Sequence, residues 1–245
     1  MTEFIFMLTH GDVTVADALV HYRAIRDTDL RWIGFKDVGL SIDQMRSLAR
    51  EARDDGRKVV LEVVSLDEAS ELQSAKAAID IGIDLLMGGV RPHVVAPLLV
   101  DTGIRYFPFP GDVVGHPSVL NGTVEEIEES ASQMSRMSGV HGLDLLAYRF
   151  AGDVPHLIRR VVAAAVCPVV VAGSVDGVAR IQAVRAGGAW AFTVGSAVFD
   201  GAFPAPATTR DQVRFILDAV QRVDREGALP EPSGTSAARS GGAAP

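Results

Sequence analysis

The stretch that decides the fold is VVVAGSVDGVARIQAVRAGGAWAFTVGSAVF, residues 169–199. It opens on an apolar run, Val169–Ala172, and breaks at a small-residue turn, Gly173-Ser174. A helical stretch follows and stops at Gly187. A second apolar run, Trp190–Val194, ends in a second small turn, Gly195-Ser196. Runs that are apolar on both faces are what buried parallel strands require. The segment therefore reads as strand, helix, strand.

Working outward, the same grammar repeats. Apolar runs lie at Phe4–Thr9, Trp32–Lys36, Val59–Val64, Leu85–Met87, Tyr106–Phe109 and Leu143–Tyr148, which with the two above make eight. Between them stand amphipathic stripes spaced i, i+3, i+4, i+7, such as Val213, Ile216, Leu217 and Val220. Five capping-box spellings mark helix starts: Thr14–Asp17, Ser41–Gln44, Ser65–Glu68, Thr123–Glu126 and Thr209–Gln212. Gly56, Gly82, Gly103 and Gly187 spell helix stops. Eight β-α units point to one α/β domain, a (βα)8 TIM barrel over residues 1–228. An open doubly wound sheet is the competitor, but no G-x-G-x-x-G follows a strand. Residues 229–245 are rich in Pro, Gly, Ala and Ser and read as a disordered tail.

Composition narrows the function. The 245 residues carry a net charge of −8, which disfavours a nucleic-acid surface. No run of 18 apolar residues signals a membrane helix. The N-terminus carries an acid at position 3 and no basic segment, so it reads as a first strand rather than a signal peptide, and a cytoplasmic protein is expected. One cysteine, Cys167, excludes disulfide scaffolds. Self-association is left open.

The turns Gly173-Ser174 and Gly195-Ser196 let backbone amides approach a ligand at the start of a helix. In many barrels the loops after strands 7 and 8 form a phosphate cradle. With this motif, residues 169–199 resemble the ribulose-phosphate-binding barrel superfamily. That group includes histidine- and tryptophan-pathway isomerases and sugar-phosphate epimerases. The resemblance implies a phosphate-binding barrel enzyme and leaves the reaction open. Asp176 is expected to cap the helix after strand 7 and to face away from the cradle. Gly88-Gly89 with Arg91, after strand 4, is weighed as a second anion site against a plain turn.

Barrel chemistry sits at the C-terminal ends of the strands. Lys36 is the lysine placed there. Burial is expected to depress its pKa and make it a base or imine former, unless it only ion-pairs with Glu62 or Asp37. Glu62 and Asp144 are carboxylates inside apolar strands and need partners. Tyr148 and Arg149 end strand 6 within reach of a ligand. His116, in a loop of about twelve residues after strand 5, is weighed as a proton shuttle against a surface turn. Asp12 follows strand 1; in the histidine-pathway isomerases the acid lies within the strand, so Asp12 is given little weight. Too few histidines reach strand ends for a metal site, and no cofactor is implied. The expected substrate is a small phosphorylated sugar or polyol, handled by an isomerase or epimerase through an enediolate. A Lys36 lyase or aldolase, or a non-catalytic phosphometabolite-binding barrel, is the alternative.

Overall fold

A computed structural model of the chain describes residues 2–65 and 67–226. The expected tail, 229–245, lies outside them. Eight parallel strands form the barrel: β1 (Glu3–Met7), β2 (Trp32–Lys36), β3 (Lys58–Val63), β4 (Leu85–Gly88), β5 (Arg105–Phe107), β6 (Leu143–Leu145), β7 (Val169–Val171) and β8 (Ala191–Val194). Their order is β6-β7-β8-β1-β2-β3-β4-β5. Between β5 and β6 the ring is closed by two backbone hydrogen bonds, the His141 amide donating to the Tyr106 carbonyl at 2.9 Å and the Asp144 amide to the Pro108 carbonyl at 3.0 Å. All eight runs read from the sequence are strands; Trp32–Lys36 matches at both ends, and the other seven are shifted at one end or both. The largest shift is in Leu143–Tyr148, whose last residues belong to a 3-10 turn, Ala147–Arg149.

The outer ring comprises α1 (Ala18–Ala24), α2 (Ile42–Asp54), α3 (Glu68–Ile81), α4 (Pro92–Val95), α5 (Val124–Met134), α6 (Val154–Ala164), α7 (Val178–Ala186), α8 (Ser196–Phe199) and α9 (Thr209–Glu226). Their apolar stripes and the outward residues of the strands make the larger core. Two of the five expected capping boxes form as spelled, at Ser41 on α2 and Thr123 on α5. The other three are corrected. Thr14 bonds the backbone of Lys36 instead, and α1 starts at Ala18. Asp67 caps α3, leaving Ser65 to donate to Asp37. At α9 the capping hydroxyl is that of Thr208, one residue early.

Alternation along the strands fills the lumen. Ile5, Met7, Trp32, Val60, Leu85, Met87, Phe107, Val170 and Ala191 form one cluster there. At the N-terminal end the Arg105 guanidinium stands 5.4 Å from the Trp32 ring and 5.0 Å from the Trp190 ring, a cation–π plug. A ligand therefore has the C-terminal end to enter by.

Gly142 makes the β5–β6 closure possible, since a Cβ there would stand 2.2 Å from the Phe107 ring. Gly142→Ala is expected to destabilise the fold by about 1–3 kcal/mol, the cost of overpacking a filled core. Urea unfolding checks this, and unchanged stability would mean the closure is looser than described.

Candidate functional site

Two hairpins build the mouth. The first, Thr9–His10 paired with Val13–Thr14, follows β1. The Thr14 hydroxyl accepts from the Lys36 amide at 2.8 Å and donates to the Lys36 carbonyl at 3.0 Å, which ties the hairpin to the end of β2. Its turn holds Asp12 at φ 69°, a conformation Asp tolerates better than most residues. The carboxylate is thereby set over the lysine. The second hairpin, Asp112–Val114 paired with Val119–Asn121, is the structure of the long segment after β5. It lowers Ser118 into the mouth, where the Ser118 amide donates to Asp12 Oδ2 at 3.1 Å.

Lys36 sits in register with Glu62, and both side chains point into the lumen. Lys36 Nζ lies 2.6 Å from Asp12 Oδ1 and 3.4 Å from Glu62 Oε1, with all three side chains no more than 8% exposed. Burial works against the ammonium, but the charges of Glu62 and Asp12 outweigh it and raise the Lys36 pKa. The expected depression is thus corrected: the lysine is held as a cation between two carboxylates. Burial alone would push Asp12 up. Lys36, the Ser118 amide and Arg149 together hold it below its ordinary value. Glu62 goes the other way: burial, with Asp12 adding to it, raises its pKa against the pull of Lys36. The cluster therefore offers a fixed cation, a fixed anion and one carboxyl poised to exchange a proton.

Asp144 lies at the level below, fully buried, with neither carboxylate oxygen hydrogen-bonded among the described residues. Burial and the nearby Glu62 raise its pKa well above the ordinary carboxylate range, with Lys36 opposing. The folded state keeps a proton that the unfolded chain releases above about pH 4. This site's share of stability is thus fully present at acid pH and shrinks as pH climbs toward the folded-state value. Asp144→Asn carries no such dependence, so its stability relative to the natural protein is expected to improve as pH rises from about 5 to 8. Urea unfolding at both pH values measures the gap; a gap that does not widen contradicts the protonated state.

One cavity of about 70 Å³ joins these groups to the small turns. Lys36, Glu62, Arg149, Gly173, Ser174, Gly195 and Ser196 line it, together with Asp12, Ser118, Thr9 and Thr193. Gly173 has φ 79°, and a Cβ on it would stand 2.7 Å from Arg149 Cγ, so only glycine lets the arginine stem pass. Asp176 pairs with Arg180 at 2.9 Å and does not line the cavity, as its expected outward aim requires; α7 is capped by Gly177 rather than by it.

Other expected positions fall elsewhere. His116 is exposed, beside Val38 and Val64 past the ends of β2 and β3, and does not line the cavity. Tyr148 turns outward, its ring under the Arg180 guanidinium at 4.8 Å. Gly88, Gly89 and Arg91 are not at the cavity. The buried Glu71 carboxylate of α3 accepts from the Val90 amide at 3.2 Å and the Arg91 amide at 3.1 Å, and pairs with the Arg91 side chain at 2.8 Å. The protein's own carboxylate thus occupies the proposed second anion site. Asp12 and Ser118 are the positions the sequence reading undervalued or passed over. The one local signal was the His-Gly-Asp turn directly after β1.

Among the described residues, no three His, Cys, Asp or Glu side chains form a metal-ligating group, and no helix is long and apolar enough to cross a membrane. No protein-family model and no curated protein sequence matches the chain. Solved structures do. Orotidine 5′-phosphate decarboxylase from Pyrococcus horikoshii OT3 superposes with a TM-score of 0.65 at 14% identity, covering 89% of this chain and 99% of that one. The native KDPGal structure gives 0.62 at 15% identity, over 91% and 96%. A chain of the tryptophan synthase α2β2 complex from Pyrococcus furiosus gives 0.59 at 16% identity, over 91% and 97%. At these identities the likeness shows the fold, a single (βα)8 barrel.

Proposed function

We propose that this chain, with the fold of the ribulose-phosphate-binding barrels, is an enzyme that moves protons on a small phosphorylated carbonyl compound, as an isomerase or epimerase does. The observation that carries the reading is the buried Asp12–Lys36–Glu62 row opening into the same cavity as both Gly-Ser turns. The phosphate is held by Gly173, Ser174, Gly195 and Ser196, with Arg149 as the neighbouring cation. The carbonyl end then lies against Lys36. Glu62 takes the proton from the adjacent, hydroxyl-bearing carbon; the C–H pair becomes a carbon–carbon double bond and the carbonyl π pair moves onto the oxygen, giving an enediolate. The Lys36 ammonium stabilises that oxyanion, and Glu62 delivers the proton to the former carbonyl carbon while the hydroxyl proton passes to the oxyanion, which leaves the carbonyl on the neighbouring carbon. Asp12 keeps Lys36 charged and in place.

The Lys36 lyase reading is weaker, because an imine forms from the neutral amine and two carboxylates here favour the ammonium. A purely binding barrel has no need of a buried cation between acids. Thermal-shift screening tests the ligand class, since a ligand that binds the folded state raises its midpoint by mass action. Inorganic phosphate is expected to raise the Tm, and a fitting aldose or ketose phosphate to raise it further. Equal response to unphosphorylated sugars would contradict the reading. Borohydride with the ligand is expected to leave Lys36 unmodified; a covalent adduct there would move the assignment to the lyase.

A further inference from the structure

Arg149 is poorly satisfied where it stands. Its Nη2 reaches Asp12 Oδ1 at 3.3 Å, long for a charge-assisted bond, and its Nη1 reaches the Ser118 carbonyl at 3.5 Å. Its Nε–H is buried with no acceptor among the described residues. Its stem lies on Gly173, beside the turn proposed to hold the phosphate. Asp12 Oδ1 is at the same time the oxygen that holds Lys36 at 2.6 Å. One carboxylate oxygen is therefore shared between the cation at the anion end of the cavity and the cation at its chemical end.

We propose that the substrate's anionic group takes Arg149 from Asp12, so that Asp12 Oδ1 passes wholly to Lys36 and the anion's arrival sets the charge pairing of the catalytic row. An anion on the Gly173 and Gly195 turns offers Arg149 the acceptors it lacks, including one for Nε. The long Asp12 contact is the one the exchange gives up. Ser118 stays on Asp12 Oδ2 through its amide, so the hairpin is not released by the exchange. The groups facing Lys36 are then Asp12 and Glu62, with Asp144 below and Asp37 acting on Glu62 from the strand end. The consequence is selective: a ligand lacking the anion leaves Arg149 and Lys36 competing for one oxygen.

This inference rests on the anion site proposed above, and the sequence makes it testable. The chain has three lysines, of which Lys58 pairs with Asp84 at the opposite end of the barrel and Lys76 is exposed on α3. In lysine- and arginine-labelled protein, inorganic phosphate is expected to shift the Lys36 Nζ and Arg149 Nε resonances together, saturably, leaving Lys58 and Lys76 in place. Arg149→Gln is expected to weaken phosphate at least tenfold and, at saturation, to reduce the Lys36 shift to under a third. Phosphate that binds, moving the Gly173 and Gly195 amides, without moving Arg149 Nε overturns the exchange alone. So does a full Lys36 shift in Arg149→Gln. Wild-type amides that stay still at every phosphate concentration overturn the anion site and the inference with it. The Arg149 Nε signal in the natural protein decides the matter even if the variant does not fold.

Discussion

Lys36→Met is expected to cost about 3–5 kcal/mol of stability near pH 8, the penalty for leaving buried charges without their partner. The side chain is 7% exposed and lies between Asp12 and Glu62, with Asp144 below. Without the cation, the carboxyl groups can escape mutual repulsion only by taking up protons, which raises their pKa values in the folded state above those of the unfolded chain. The folded variant then binds protons that the unfolded chain does not, so its stability falls as pH rises above about 4. The deficit against the natural protein is therefore expected to grow between pH 5 and pH 8, and urea unfolding at the two pH values measures it. A small deficit, equal at both, would mean that the acids are solvated or otherwise partnered. Proton exchange into substrate is expected to fall about a thousandfold, the scale seen when a preorganised oxyanion donor is lost.

Glu62→Gln separates chemistry from folding. Glutamine keeps the size and a hydrogen-bonding end, while Asp12 still pairs with Lys36 at 2.6 Å. Stability is expected to change by no more than about 1 kcal/mol, within the range of a single hydrogen bond. Turnover is expected to drop by about 10²–10⁴, the contribution of a positioned acid–base group. Ligand affinity, read by thermal shift, is expected to persist. Loss of affinity with retained rate per bound ligand would make Glu62 a binding group and return the base to another residue.

What the sequence made legible follows from which forces are local. Strand runs are short, apolar on both faces and punctuated by glycine, so the eight β-α units stood out. Lys36 and Glu62 were legible because a charged residue inside a buried strand needs a partner, and strand alternation turns both inward at one level. Asp12 was not, because its place is set by Thr14 bonding the backbone of Lys36, 22 residues away. Ser118 depends on a hairpin whose two strands show no apolar alternation of their own, and the same hairpin faces His116 to solvent. The direction of the Lys36 shift was misread for the same reason: burial was visible, but Asp12, the second of its two counter-charges, was not. Gly88, Gly89 and Arg91 looked like an anion turn, and in chemistry they are one. The anion is Glu71, from a helix that precedes the turn.

In the proposed reaction, Lys36 and Glu62 move a carbon-bound proton of an anion-anchored carbonyl compound. Deuterium exchange in D₂O, followed by NMR on the sugar phosphate giving the largest thermal shift, tests it directly. The natural protein is expected to exchange the hydrogen on the carbon next to the carbonyl, and Glu62→Gln to bind the same compound without exchanging it. A bound phosphorylated carbonyl compound that keeps its hydrogen in the natural protein, or loses it equally fast in Glu62→Gln, would contradict the claim.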